Sequence, residues 1–170
     1  MILGSGCLFE NNTMTILPES SYASSRWKFG IWDDASSTIR GNRILVKDGT
    51  TTAIKLWYFG YHFGQSTVID RNDIRCENIL PGESPVGIYR NHNNLSSGPS
   101  EITNNLIAGF YIQIDMKTSS DPTVFMNNTL VAPKGQNNQS GCADIVGTAT
   151  AWVNNIFTSG NSTGTAFRLT

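Results

Sequence analysis

"VFMNNTLVAP", residues 124–133, sets a pair of asparagines between an apolar run and a second β-favouring run. Asparagine is a turn former and is depleted in sheet interiors, so one such phrase would be a loop. The phrase recurs as "FENNTMTI" (9–16), "IRGNRILV" (39–46), "VIDRNDIRC" (68–76), "EITNNLIAG" (101–109) and "AWVNNIFTS" (151–159). Aligned on an asparagine two places before an apolar residue, the pairs are Asn12 with Met14, Asn42 with Ile44, Asn72 with Ile74, Asn104 with Leu106, Asn128 with Leu130 and Asn154 with Ile156. Spacings in the twenties and thirties mean stacked repeats, and their variation means loops of unequal length.

A second phrase fills every gap, and its apolar residues alternate with the β period of two. It reads "WKFGIW" (27–32), "AIKLWY" (53–58), "VGIY" (86–89), "FYIQID" (110–115), "CADIV" (142–146) and "AFRLT" (166–170). No stretch sustains a helical period with caps at its ends. Each repeat is therefore strand, loop, asparagine turn, strand, loop, with "PGESP" (81–85) and "SSGPSE" (96–101) as punctuation.

The turn explains the asparagines. A sharp bend between strands needs a residue that tolerates the left-handed region, which asparagine does better than any residue but glycine. With coils stacked about 4.8 Å apart, each side chain can also bond the asparagine above and below. The neighbouring aliphatic residue then turns inward.

Interleaved phrases with asparagine at the turn and stacked aliphatics beside it resemble the right-handed parallel β-helix of the pectate-lyase-like superfamily, over essentially the whole chain. The resemblance implies an all-β solenoid of about six coils with little or no helix, residues 1–170 forming one domain that is either complete or a fragment of a longer solenoid. A rod of that size is on the order of 30 Å long. Its open sheet ends, with no capping helix at either terminus, predict a homo-oligomer or end-to-end stacking. The superfamily also implies a secreted or surface-exposed setting and, should the chain be an enzyme, a polysaccharide lyase or glycoside hydrolase.

The superfamily's catalytic sets do not carry over. Asn12 and Thr13 are followed by Met14, Asp33 and Asp34 form an acidic pair, no Gly-His-Gly occurs, Arg43 and Ile44 are followed by Leu45, and Asp121 and Pro122 by Thr123. Lys55, His62 and Arg90 are the candidate bases for a β-elimination, with Asp70, Asp73 and Asp115 as carboxylates that could hold calcium. No pair among them has diagnostic spacing, so no cofactor and no defined metal site is assigned.

Alternation along the second strand turns Trp32, Lys55, Trp57, Tyr89, Tyr111, Gln113 and Asp115 outward, with Arg90 beside them at the start of a polar loop. Aromatic faces pack on sugar C–H surfaces while amides and charges bond hydroxyls, so such a stripe suits an extended polysaccharide. The aromatic loop "WYFGYHFGQ" (57–65) folds onto its own coil, lies over that face or packs against a partner chain. The competing expectation is a non-catalytic structural or adhesive solenoid, a surface-protein or phage-fibre segment, acting through oligomerisation. A net charge of −1 offers no field for nucleic acid, and no run of about 18 apolar residues offers membrane insertion. Cys7, Cys76 and Cys142 form no metal-binding or redox motif and read as small packing residues.

Overall fold

The computed structural model describes residues 1–3, 6–17, 29–33, 36–47, 52–56, 66–79, 84–90, 100–117, 123–133, 141–146, 150–158 and 165–169. These residues contain no helix; they form nineteen short strands in three parallel sheets. Sheet A holds β1 (Ile2–Leu3), β4 (Phe29–Asp33), β7 (Thr52–Leu56), β10 (Val86–Arg90), β13 (Ile112–Lys117), β16 (Gly141–Val146) and β19 (Thr165–Leu169), in that spatial order. Sheet B stacks β2 (Leu8–Glu10), β5 (Thr38–Arg40), β8 (Val68–Asp70), β11 (Ser100–Thr103), β14 (Thr123–Met126) and β17 (Thr150–Val153). Sheet C stacks β3 (Thr13–Ile16), β6 (Arg43–Val46), β9 (Asp73–Cys76), β12 (Leu106–Ala108), β15 (Thr129–Val131) and β18 (Ile156–Thr158). Each winding contributes one strand to each sheet in turn, which is a β-solenoid.

Parallel in-register stacking repeats the same side-chain position on every rung, so the core is built of columns. Sheet A contributes Ile31, Ile54, Ile88, Ile114 and Ala143, each at most 2% exposed. Sheet B stacks Phe9, Ile39, Ile69, Ile102, Phe125 and Trp152, and sheet C stacks Met14, Ile44, Ile74, Ile107, Leu130 and Phe157. Branched side chains suit this arrangement because their stiff rotamers repeat from rung to rung without clash. At the far end the Phe125 and Trp152 rings lie 4.0 Å apart and nearly parallel.

Two adjacent columns make the corner between sheets B and C. The first residue of each turn has positive φ: Asn11, Gly41, Arg71, Asn104, Asn127 and Asn154. All six are exposed. The second residue forms the amide column Asn12, Asn42, Asn72, Asn105, Asn128 and Asn155. Each of the first five donates both its backbone N–H and one Nδ2 hydrogen to the Oδ1 of the next, at 2.9–3.2 Å. The second Nδ2 hydrogen goes to a sheet B carbonyl, Phe9 for Asn42, Ile39 for Asn72, Ile69 for Asn105 and Ile102 for Asn128. Backbone carbonyls of the column accept from the following rung, as Asn42 does from the Asp73 N–H. Four consecutive amides, at 1–2% exposure, are thus satisfied at every donor and acceptor, which is what their burial requires.

The register corrects the sequence alignment in two rungs. Asn105 and Asn155, not Asn104 and Asn154, stand in the column, and Ile107 and Phe157, not Leu106 and Ile156, turn inward. Ile156 is 58% exposed. Because side chains alternate, a shift of one residue exchanges the two faces of a strand.

Candidate functional site

The outward positions of sheet A form one unbroken line. Trp32 lies beside Lys55, Lys55 beside Tyr89, Tyr89 beside Asp115, Asp115 beside Asp144, and Asp144 beside Arg168. Strand separation of about 4.8 Å spaces them evenly along the rod. Trp32 and Tyr89 are half-buried, whereas Asp115 and Asp144 are nearly enclosed at 7% and 5% exposure. Phe29 packs edge-on against the Trp32 ring at 4.8 Å, fixing the indole plane. Asp144 and Arg168 went unnoticed in the sequence, although both fall in β-phrases of the expected period; extending the same alternation through "CADIV" and "AFRLT" finds them.

Two expected members of the face are interior. Gln113 is fully buried, and its carboxamide closes on the Phe110 backbone, Oε1 accepting from the N–H at 2.9 Å and Nε2 donating to the carbonyl at 3.0 Å. Its place explains why simple alternation fails there: Gly30, Ala53, Gly87, Gln113 and Cys142 are buried although the next residue of each strand is also buried. A Cβ on Gly87 would come within 2.6 Å of the Ile107 side chain, so the small residues make room for sheet C.

Arg90 is likewise fully buried, at the register position that also holds the buried Leu3, Asp33 and Met116. A hydroxyl-lined seam at the entry to sheet B receives these charges. Arg90 Nη1 donates to Thr123 Oγ1 at 2.9 Å, and Asp33 Oδ2 accepts from Thr67 Oγ1 at 2.6 Å. Removing a charge from water requires such partners, which a surface loop would not need.

Tyr111 is half-buried and precedes β13, its N–H bonded to the Pro85 carbonyl, so it is not in the outward line. Trp57, His62 and the aromatic loop 57–65 lie outside the described residues, as do the Lys55 and Arg168 side chains.

The three carboxylates considered for calcium are dispersed. Asp115 is on sheet A, Asp70 ends a sheet B strand and Asp73 begins a sheet C strand. Asp70 accepts from Arg71 Nε (2.7 Å), Thr103 Oγ1 (2.8 Å) and Asn104 Nδ2 (2.7 Å). Burial pushes its pKa up, but those three bonds and the Arg71 charge together hold it below the usual aspartate value. Asp73 is engaged by Arg75 Nε at 2.6 Å, which raises the guanidinium pKa. Among the described residues no group of three or more potential ligands converges on one point.

All three cysteines are free thiols. Cys142 is buried, and loss of hydration raises its thiol pKa, which disfavours the thiolate. No protein-family model, curated protein or solved structure matches this chain.

Proposed function

We propose that the chain binds an extended polysaccharide along the outward line of sheet A, with Trp32 and Tyr89 stacking on sugar rings and Lys55, on the rung between them, bonding hydroxyl or charged groups. The observation that supports this reading is the register itself, which repeats one outward position per rung at a spacing comparable to the length of a sugar unit. Aromatic and polar positions at equal intervals are what a periodic ligand needs. No acid–base pair is assigned, so the reading is binding, not cleavage. Titration with a panel of uronate and neutral glycan polymers, followed by tryptophan fluorescence, is the test. Trp32→Ala and Tyr89→Ala are each expected to weaken binding by roughly 2- to 10-fold, the loss of one aromatic contact. Absence of binding by every polymer, or unchanged affinity in both variants, rejects it.

A second reading is a structural solenoid that stacks end to end, and the polarity of the amide column favours it. At one end Asn12 Oδ1 accepts nothing among the described residues; at the other, the Asn155 N–H and one Nδ2 hydrogen have no acceptor there. The two ends are complementary, and head-to-tail contact would set β2 and β3 of one copy on β17 and β18 of another. Light scattering of the 170-residue chain should then show mass rising with concentration, and less so in Asn12→Leu. A constant single-chain mass at high concentration excludes the stack.

A further inference from the structure

The corner between sheets B and C holds a cleft of about 240 Å3 lined by Glu10, Asn11, Arg40, Gly41 and Arg71. We propose that this cleft is a binding site for a small oxyanion group, a carboxylate or sulfate, held between the guanidinium groups of Arg40 and Arg71.

Three observations converge. The first is the notch itself. Of the six residues at the left-handed corner, four are asparagine and only Gly41 lacks a side chain. A Cβ at Gly41 would lie 2.5 Å from Asn11 Oδ1, so the space exists because the residue is glycine.

The second is Arg71, which takes the left-handed conformation at φ 54° on the rung next to the notch. That conformation costs an ordinary side chain roughly 1 kcal/mol or more, and asparagine, the residue used elsewhere in the column, would lower the cost. An arginine there is not explained by turn geometry.

The third is how the charges are held. Glu10 Oε2 takes Arg40 Nε at 2.6 Å, and Asp70 Oδ2 takes Arg71 Nε at 2.7 Å. Each guanidinium is thereby oriented by one nitrogen, leaving its terminal Nη groups without a protein acceptor among the described residues. Asp70 is already occupied by Thr103 and Asn104 as well, so it does not compete for them. Of the lining side-chain atoms, two acceptors outside those ion pairs, Glu10 Oε1 and Asn11 Oδ1, stand against four terminal guanidinium nitrogens. A site so rich in planar donors fits an acceptor-only group that can be forked by arginine. The two orienting carboxylates keep local charge near zero, which implies weak binding that depends on bidentate geometry and not on a diffuse positive field.

The cleft shares no residue with the line on sheet A, so either site can fail alone. The test follows the arginine Nε–H resonances of the 170-residue chain by NMR during titration with sodium sulfate and, separately, sodium glucuronate, each against sodium chloride at equal ionic strength. The Arg40 and Arg71 signals are expected to shift saturably with at least one oxyanion and not with chloride. Sulfate alone doing so identifies a free inorganic oxyanion as the ligand; glucuronate binding as well or better identifies a sugar-borne carboxylate. Arg71→Asn, which suits the turn, should weaken binding roughly tenfold, the loss of one charge-assisted pair. Gly41→Asn installs the residue used at four of the six corners, so the fold survives while the notch fills and binding disappears. Shifts matched by chloride, or retained in both Gly41→Asn and Arg71→Asn with the fold intact, overturn the site.

Discussion

Asn72→Ala is expected to lower the free energy of unfolding by about 3–5 kcal/mol, a large part of the 5–15 kcal/mol that holds a typical domain. In the native chain Asn72 Oδ1 accepts from both the N–H and Nδ2 of Asn42, and Asn72 Nδ2 donates to the Ile39 carbonyl and to Asn105 Oδ1. Alanine keeps the Asn72 backbone N–H bond to Asn105 but leaves two Asn42 donors facing an apolar methyl. Asn42 is 2% exposed, so water does not readily replace what is lost, and each stranded donor costs about 1–3 kcal/mol. The comparison that isolates this effect is Asn104→Ala. Asn104 is exposed and bends the chain at φ 57°, so alanine there loses turn preference and two solvent-exposed bonds, to Asp70 and from Asn127, about 1–2 kcal/mol in all. Urea unfolding of the two variants should show midpoints far apart at similar slope. Equal midpoints would mean that the amide column is a consequence of the stack and contributes little to holding it.

The same pair of residues shows how far the sequence speaks for the fold. Asparagine recurrence and β-period phrases are local signals, and they locate the strands and corners because the parallel stack repeats each local choice on every rung. The asparagine doublets are where the signal divides. "NN" does not say which residue bends and which bonds, and the alignment on Asn104 and Asn154 took the bending one. The single-asparagine rungs, "GN" at 41–42 and "RN" at 71–72, carry the answer: the glycine can only be the bend, so the second residue is the amide throughout.

Alternation puts Trp32, Tyr89 and Asp115 on one register line of sheet A, because the parity of a strand is decided within the strand, but it does not foretell that Asp115 is buried there while Trp32 and Tyr89 are half-buried. Arg90 and Gln113 were beyond its reach. Arg90 has the inward parity of Ile88, yet its charge argued for solvent; the Thr123 hydroxyl that receives it comes from a strand that begins 33 residues later. Gln113 sits where the strand buries two successive residues, a departure that arises from the close approach of sheet C at Gly30 and Gly87. Burial of a polar group depends on partners brought in by register, and register is a tertiary property. The recurrence of small residues at 30, 53, 87 and 142, each just before the inward aliphatic or alanine, is the trace it leaves in the chain.

Gly109→Ala is expected to destabilise by about 2–5 kcal/mol, and Gly6→Ala, at a similar backbone angle, by only about 1 kcal/mol. Both glycines are left-handed, at φ 82° and 72°. They differ in surroundings: a Cβ at Gly6 meets nothing within 4 Å, whereas one at Gly109 runs directly into the Cys76 carbonyl. The cause is loop length. Only residues 109–111 join β12 to β13, the shortest link from sheet C to sheet A, so the chain must reverse within one residue, hard against the rung beneath. The N–H of Gly109 is at the same time bonded to the Val131 carbonyl on the other neighbouring rung, and the buried Phe110 that follows is clamped by Gln113. Neither side can yield without breaking a backbone bond or exposing the Phe110 ring. Chemical denaturation of both variants separates conformational strain, common to the two, from collision, confined to Gly109. A matching small loss in the two would show that the three-residue link relaxes, and that the spacing between β12 and β13 is set by the sheets and not by this turn.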